Sequence, residues 1–502
     1  MENRFNLIDE PWIPVANQGL RSLRDVFTHL EYRAMGGNPV EKIALMKLLL
    51  AIAQSAATPA DEKEWRELRE ECFTQKCLAY LDKWHERFYL YGDKPFLQMP
   101  QLSKAKVQSF GAVLPYVSSG NTTVLNHHQL ERSLDDAERA LLLLTLMGFA
   151  LSGKKTDNSV ILSPGYTLKT NEKGRPGTGR TGPSVAYFGM LHNFLLGSTL
   201  IQSIWINVLS HEQVKQMAIY EQGIGVAPWE VMPAGEDCLA ARKLKQSLIG
   251  RLIPMCRFCL LVEDGLHYSE GVFHAGYKEG MVDPSMAVNY SGKEPKALWT
   301  NPEKRPWREL TSLLGFVGQT TGHGFQSWQI RFALDRAREV TDTFSFWSGG
   351  LRVSSNAGEQ YASGSDDYVE SQIWLNGSAL GELWFILLKH EMEGLDGAAR
   401  QLYGRVMAFY KAIMAEGKSQ AEQATNLFWQ MCERDFQRLI DACESSDEAL
   451  DARQKLRFRF SSYAHLSYDQ FCPKETARQI DTWARCRPNF SQYLKQEGKV
   501  HE

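Results

Sequence analysis

The sequence lacks a long apolar run, and this excludes an ordinary membrane-spanning helix. The longest such run, residues 140–151, is shorter than the roughly 20 residues that cross a bilayer. The N-terminal segment MENRFNLIDEPW also lacks the basic-then-apolar pattern of a secretory signal. We therefore expect a soluble, cytoplasmic protein without membrane contact.

Cysteine is sparse: nine residues are spread over 502 positions without a dense framework, which is typical of a reducing compartment. Only Cys256 and Cys259 have the C-x-x-C spacing of metal ligands. A structural zinc needs four ligands, and no second pair follows downstream. Half of a zinc site and two buried thiols both remain open, and the second interpretation is favoured.

An excess of positive charge is missing as well. The 56 basic and 59 acidic residues leave a net charge of −3, so nucleic-acid binding would have to depend on a local basic patch. Neither H-E-x-x-H nor G-x-S-x-G occurs, so neither hydrolase template is met. The apolar content of 43% is that of an ordinary globular protein, and the length predicts two or more domains.

The segment 153–187 is rich in glycine and proline and carries an excess of basic residues. Glycine lets backbone N–H groups approach an anion closely, and basic side chains on such a frame can contact phosphate. The alternative is a solvated surface loop. The basic residues are Lys154, Lys155, Lys169, Lys173, Arg175 and Arg180, against Asp157 and Glu172.

Within that segment, residues 174–181 fit the phosphate-loop pattern G-x-x-x-x-G-K-[ST], except that Arg180 replaces the lysine. A phosphate loop follows a buried strand and opens into a helix. Residues 168–173 are too polar for a buried strand, and Gly182-Pro183 interrupts the helix start. A nucleotide-dependent enzyme, with an acidic partner in 260–264, is the alternative function.

Apolar periodicity predicts a buried helix over 40–55, a helical run over 184–210, and a strand followed by an exposed loop in 344–368. Ser133 and Asp136 form a capping-box pattern for a helix over 134–151. Four helical segments follow, near 378–414, 420–445, 448–466 and 473–495. We predict an α+β fold in which a large mixed domain, 1–374, precedes a C-terminal four-helix bundle, 375–502.

Two further stretches, near the N-terminus and near residues 88–98, resemble one family. Asn6-Leu-Ile-Asp-Glu-Pro-Trp-Ile-Pro-Val15, and Phe88-Tyr-Leu90 followed by Pro95-Phe-Leu-Gln98, are similar to landmarks of the CasA family, the large subunit of the type I-E CRISPR surveillance complex, Cascade. The resemblance implies a subunit that is not an enzyme and has no cofactor. It implies as partners a guide RNA, double-stranded target DNA, other Cascade subunits and a helicase–nuclease.

The resemblance also implies roles for single residues. Asn126 matches an asparagine of the loop that contacts the RNA 5′ handle, and Gly165 matches the glycine loop. Lys278 is the candidate for a lysine that reads the protospacer-adjacent motif, and 354–356 stand where the family has a glutamine wedge. Cys256 and Cys259 resemble half of a zinc site seen in some members, whose other half would fall near 133–143, where no cysteine stands.

The adjacent histidines 127 and 128 lie in a polar loop, where they could contact phosphate or ligate a metal, although most such pairs do neither. The predicted nucleic-acid-binding residues are Asn126, His127, His128, Gly165, Lys169, Lys173, Arg175, Arg180, Lys278, Ser354, Ser355 and Asn356.

Overall fold

The computed structural model describes residues 5–114, 133–149, 151, 156, 189–318, 324–356, 359–362 and 365–495. By its internal packing the chain divides into two compact units. The first comprises residues 1–307 and 324–372, and the second comprises residues 308–323 and 373–502. The separate domain predicted over 375–502 stays a prediction.

In chain order, the helices are α1 (Leu23–Thr28), α2 (Pro39–Ala57), α3 (Glu62–Leu68), α4 (Glu70–Lys83), α5 (Phe110–Val113), α6 (Asp136–Gly148), α7 (Leu200–Asn207), α8 (His211–Met217), α9 (Leu239–Lys245), α10 (Ile249–Leu252), α11 (Leu310–Leu313), α12 (Trp328–Val340), α13 (Glu382–Ala412), α14 (Lys418–Asp441), α15 (Asp447–Phe471), α16 (Ala477–Cys486) and α17 (Ser491–Leu494).

The strands are β1 (Ile13–Val15), β2 (Gly19–Arg21), β3 (Val107–Gln108), β4 (His192–Leu196), β5 (Arg257–Val262), β6 (Gly265–Glu270), β7 (Val288–Asn289), β8 (Lys296–Ala297), β9 (Thr343–Leu351), β10 (Ser354–Asn356), β11 (Glu359–Tyr361) and β12 (Tyr368–Asn376). They form two three-stranded sheets, β12-β9-β4 and β3-β6-β5, and three hairpins, β1–β2, β7–β8 and β10–β11. The predicted mixture of helix and sheet, with a helical C-terminal region, is confirmed.

Helix α2 forms the centre of the first unit, and its prediction as a buried helix is confirmed. Asn38 caps its N-terminus by accepting from the N–H groups of Val40 and Glu41, and Pro39 occupies the first turn, where a missing N–H costs nothing. Most of its side chains are buried, so it packs against neighbours on nearly every face.

A buried ion pair lies on α2. Lys47 is 1% exposed, and its ammonium donates to the Asp283 carboxylate and, at 3.0 Å, to Arg251 O. Asp283 also accepts from the Ser285 hydroxyl at 2.8 Å. Burial alone would raise the pKa of Asp283, but the Lys47 charge and these hydrogen bonds outweigh it and lower that pKa. Asp283 is therefore a carboxylate inside the core.

Two sequence predictions were wrong in detail: the helical run over 184–210 and the capping box of the helix predicted over 134–151. The run over 184–210 contains β4, which pairs antiparallel with β9, before Thr199 caps α7. A short buried apolar run is compatible with either a helix or a strand, and here the pairing with β9 makes it a strand. Helix α6 begins after Asp135, not Ser133, because Asp135 accepts from the Glu138 N–H at 2.8 Å while the Glu138 carboxylate accepts from the Asp135 N–H.

The second unit contains three long helices, α13, α14 and α15, the short α16 and α17, and α11 from the preceding segment. Inside it, Glu391 of α13 is 2% exposed and accepts from Arg457 Nε at 2.9 Å. Arg453 Nε lies 3.9 Å from the same carboxylate. One buried carboxylate thus faces two buried guanidinium groups.

No single helix among the described residues is long and apolar enough to cross a bilayer. One pair, Pro39–Ala57 with Glu62–Leu68, meets the length and composition only jointly and across a 96° bend.

Replacing Asp283 by alanine should destabilise the protein by about 3–5 kcal/mol, because it leaves the Lys47 ammonium buried without its counter-charge. Urea unfolding followed by circular dichroism measures the loss. Lys63→Ala is the matched control, since the Lys63–Glu67 pair is exposed and should contribute no more than about 1 kcal/mol. Equal losses for the two variants would contradict the role given to Asp283.

Replacing Glu391 by alanine should cost about 3–5 kcal/mol in the helical unit, because two buried guanidinium groups lose their shared carboxylate. Thermal unfolding of the full chain, with hydrogen exchange to locate the loss, is the measurement. The exposed Lys418–Glu422 pair supplies the control, Glu422→Ala. Unchanged exchange in α13 and α15 would refute the prediction.

Candidate nucleic-acid interface

Eight of the predicted site residues lie outside the part of the chain that the structure describes. They are Asn126, His127, His128, Gly165, Lys169, Lys173, Arg175 and Arg180. Their roles stay predictions from the sequence. The residues 174–181 of the phosphate-loop pattern also lie outside it.

Lys278 lies in a short 3-10 turn, Tyr277–Glu279, on the surface of the first unit. The buried ring of Tyr277 anchors the turn, and Gly280 ends it with a φ of +85°, a conformation that glycine adopts without strain. The Lys278 ammonium is 3.6 Å from the Glu294 carboxylate, and both side chains are largely exposed. Such a pair contributes little to stability, so Lys278 can exchange this partner for another anion at small cost.

The hairpin β7–β8 carries Glu294 between its strands. Val288 pairs with Ala297 in the hairpin and with Gln326 in an isolated bridge on its other side. Beyond β8, Leu298 and Thr300 continue into backbone pairing with the segment 189–191. The hairpin that carries Glu294, the ion-pair partner of Lys278, is therefore held by backbone hydrogen bonds to neighbouring segments.

Gly349 and Gly350 lie near the end of the long strand β9, just before its last residue, Leu351. A Cβ on Gly350 would lie 2.2 Å from Thr300 Oγ1 and 3.0 Å from Met190 O, and one on Gly349 would overlap the Trp347 ring. Both positions therefore require glycine because the neighbours approach the backbone directly.

Ser354, Ser355 and Asn356 form β10, which pairs antiparallel with β11. The sequence predicted an exposed loop here, so that expectation was wrong for 354–356. Asparagine is depleted in strands and serine is not enriched there, so the pairing with β11 makes this segment a strand. Ser354 is half-buried.

Arg352, between β9 and β10, joins this region to the segment before β12. Its backbone N–H donates to Asp367 O at 2.8 Å, and its guanidinium lies 2.5 Å from the buried Asp367 carboxylate. The contact holds the start of the β10–β11 hairpin. No pattern in the sequence distinguishes Arg352 from other arginines.

Trp299 is a further residue that the sequence analysis missed. It follows β8 and is 46% exposed, and it carries an apolar ring at the surface between paired backbone segments. Its exposure is the feature that distinguishes Trp299 as a candidate contact, and exposure is a property of the folded chain.

Cys256 and Cys259 are both buried, with Cys259 inside β5. The backbone pairing of β5 with the β6 side continues at Cys256, because the Gly271 N–H donates to Cys256 O at 3.2 Å. Residues three apart on a strand point to opposite faces, which is wrong for two ligands of one metal. Burial also raises the pKa of the Cys259 thiol to about 12, so without a metal this side chain is a neutral thiol.

Among the described residues, no group of three or more histidine, cysteine or acidic side chains could hold a metal ion. Because Cys256 and Cys259 point to opposite faces of the strand, this pair does not fit one zinc site. The acidic partner proposed for the phosphate loop fits no better, because β5 is antiparallel to β6 and residues 263–264 form their turn. Nucleotide-binding sheets of the phosphate-loop kind are built on parallel strands.

Comparison with known proteins gives one family over most of the chain. The family model of the CRISPR-associated protein Cse1 matches residues 6–465. The CasA/Cse1 protein of Thermus thermophilus is 28% identical over 356 residues, which are 64% of this chain. The match spans 63% of that relative's length.

Solved structures share the fold. Thermobifida fusca Cse1 superimposes with a TM-score of 0.77 at 19% identity, covering 98% of this chain and 97% of that one. A chain from a structure titled CRISPR RNA-guided surveillance complex gives a TM-score of 0.65 at 17% identity, covering 96% and 98%. With the family match over 6–465, the resemblance of the N-terminal signature is confirmed, and the chain belongs to the Cse1 (CasA) family of CRISPR-associated proteins.

Proposed function

We propose that this chain is the non-catalytic large subunit of a type I-E CRISPR RNA-guided surveillance complex and recognises the protospacer-adjacent motif in duplex DNA. The observation that carries the proposal is the family match over 6–465, a span that contains every predicted nucleic-acid-binding residue. In the proposal the chain also contacts the guide RNA 5′ handle, helps to open the duplex and recruits a helicase–nuclease.

Lys278 is the proposed contact to the motif. Its ammonium is exposed, and its ion pair with Glu294 is long and solvated, so a DNA acceptor can displace the carboxylate at small cost. The turn that carries it is anchored by a buried tyrosine and a left-handed glycine. A lysine on a rigid turn can donate to base-edge acceptors in a groove as well as to phosphate.

The segment 354–356 is the proposed second contact. Serine and asparagine side chains both donate and accept hydrogen bonds, and so they suit base edges and the sugar–phosphate backbone alike. The three residues lie on the paired backbone of β10, and the Arg352–Asp367 contact lies two residues before that strand. No glutamine occupies this position, so we propose that duplex opening here uses a different side chain.

The basic segment 153–187 is the proposed phosphate contact. It contributes charge without sequence information, as backbone contacts do in DNA-binding proteins. Asn126, His127 and His128 are proposed to contact the guide RNA handle. Phosphate contacts make duplex affinity depend on salt concentration, and this dependence provides a test of the segment 153–187.

Replacing Lys278 by alanine should weaken the assembled complex on motif-bearing duplex far more than on single-stranded target, because only the duplex presents the motif. A good base contact is worth about 1–3 kcal/mol. Fluorescence anisotropy with both DNAs provides the measurement. Glu294→Gln is the control: it removes the ion pair and keeps the lysine, and it should bind at least as tightly as wild type. Equal losses on both DNAs for Lys278→Ala would reduce the lysine to a phosphate contact or a structural residue.

Replacing Lys169, Lys173, Arg175 and Arg180 together by alanine should flatten the salt dependence of duplex binding. Each lost phosphate contact lowers the log–log slope by roughly 0.9, so the loss of affinity is largest at low salt. Duplex affinity across a salt series tests this. The double variant Lys63→Ala/Lys76→Ala removes exposed charges on α3 and α4 and should keep the wild-type slope. Coincident slopes for all three proteins would leave the segment without a role in DNA binding.

A further inference from the structure

Trp299 is held at the surface by paired backbone on both sides. It forms an antiparallel bridge with Met190. Leu191 N–H donates to Leu298 O at 3.0 Å, and Thr300 N–H donates to Gly189 O at 2.8 Å. Tryptophan is on average among the most buried side chains, yet this residue is 46% exposed. A large ring is therefore displayed from a fixed backbone.

Two glycines allow this arrangement. Gly189 has a φ of +66°, and a Cβ there would lie 2.9 Å from Val353 N. Gly350 packs directly on Thr300 and Met190 from the end of β9. The backbone on either side of Trp299 thus packs against the end of β9 and the residue that precedes β10. This packing fixes the backbone from which the ring projects.

The surrounding sequence is basic. Residues 289–305 contain the basic Lys293, Lys296, Lys304 and Arg305 and only two acidic residues, Glu294 and Glu303. All four basic residues are exposed. Asn301 holds the turn after Trp299, because its side-chain oxygen accepts from the Glu303 N–H at 2.9 Å and its carbonyl accepts from the Lys304 N–H at 3.1 Å.

An exposed aromatic ring within a basic stretch of chain has the composition of a single-strand binding surface, in which the charges follow the phosphates and the ring receives a base. We propose that Trp299 stacks on one unpaired nucleobase of the target next to the recognised motif. The proposal rests on the proposed function, because an unpaired base arises where the complex opens the duplex. Every base has a π-face, so the indole contributes affinity for opened DNA without reading the motif.

The test is a double-mutant cycle between the ring and the base. The chain is assembled with its sister subunits, and affinity is measured on motif-bearing targets that carry an abasic site at successive positions beside the motif. Trp299→Ala should weaken binding to the intact target about tenfold, within the range of a single base–aromatic stack. At one position the abasic site should weaken wild type similarly, and Trp299→Ala should add nothing there.

Two variants separate stacking from damage to the fold. Trp299→Phe keeps an aromatic ring and should retain most of the affinity. Trp374→Ala removes a tryptophan of similar exposure, 45%, in the other unit and should leave the cycle unchanged. A 2-aminopurine at the identified position should be quenched in the wild-type complex and brighter with Trp299→Ala.

Additive effects at every position, or wild-type affinity for Trp299→Ala, overturn the inference while the proposed function stands. Loss of sister subunits from the Trp299→Ala complex also overturns it, because the ring would then belong to a protein interface. A wild-type complex that binds motif-bearing and motif-free duplex equally overturns the proposed function, and the inference with it.

Discussion

The ion pair between Lys47 and Asp283 is the contact on which the first unit depends. It ties the central helix to the segment 283–285, and Ser285 in turn joins that segment to the sheet: its hydroxyl is 2.8 Å from His192 Nδ1, and its carbonyl accepts from the Asn193 N–H at 2.8 Å. The start of β4 is thereby placed against the helix. Since β4 pairs with β9, the same contact orients the strand that carries the two glycines near its end.

Trp299 and Lys278, the two proposed contact residues, are supported in different ways. Gly350 and Trp299 are held by direct backbone packing, which allows little movement. Lys278 depends on a surface ion pair, which side-chain rotation can break and remake. An aromatic ring on a fixed backbone suits contact with a flat base, whereas a mobile ammonium suits an acceptor whose position varies with sequence.

Sequence reasoning succeeded where structure is local. The apolar composition of α2 and the helical periodicity of the C-terminal unit predicted helices that the structure contains, because neighbouring residues determine both patterns. It failed at β4 and β10, whose strand character depends on partners more than a hundred residues away or on a weakly strand-forming sequence. Trp299 could not be found either, because the sequence does not say which tryptophan stays exposed.

The segment 308–318 has a consequence for how the chain can be divided. Leu310, Leu313 and Leu314 are buried, Arg308 stacks 3.9 Å over the Trp429 ring, and Gly318 packs on Phe385. The helical unit is therefore discontinuous in sequence, and the chain passes between the units three times. A deletion of all residues after 372 would leave the apolar segment 308–318 without the helices that bury it. Any loss of function could then come from the exposed leucines as much as from the missing helices. The helical unit therefore cannot be exchanged between relatives by replacing the C-terminal residues alone. A chimera would have to replace both of its segments, 308–323 and 373–502, together.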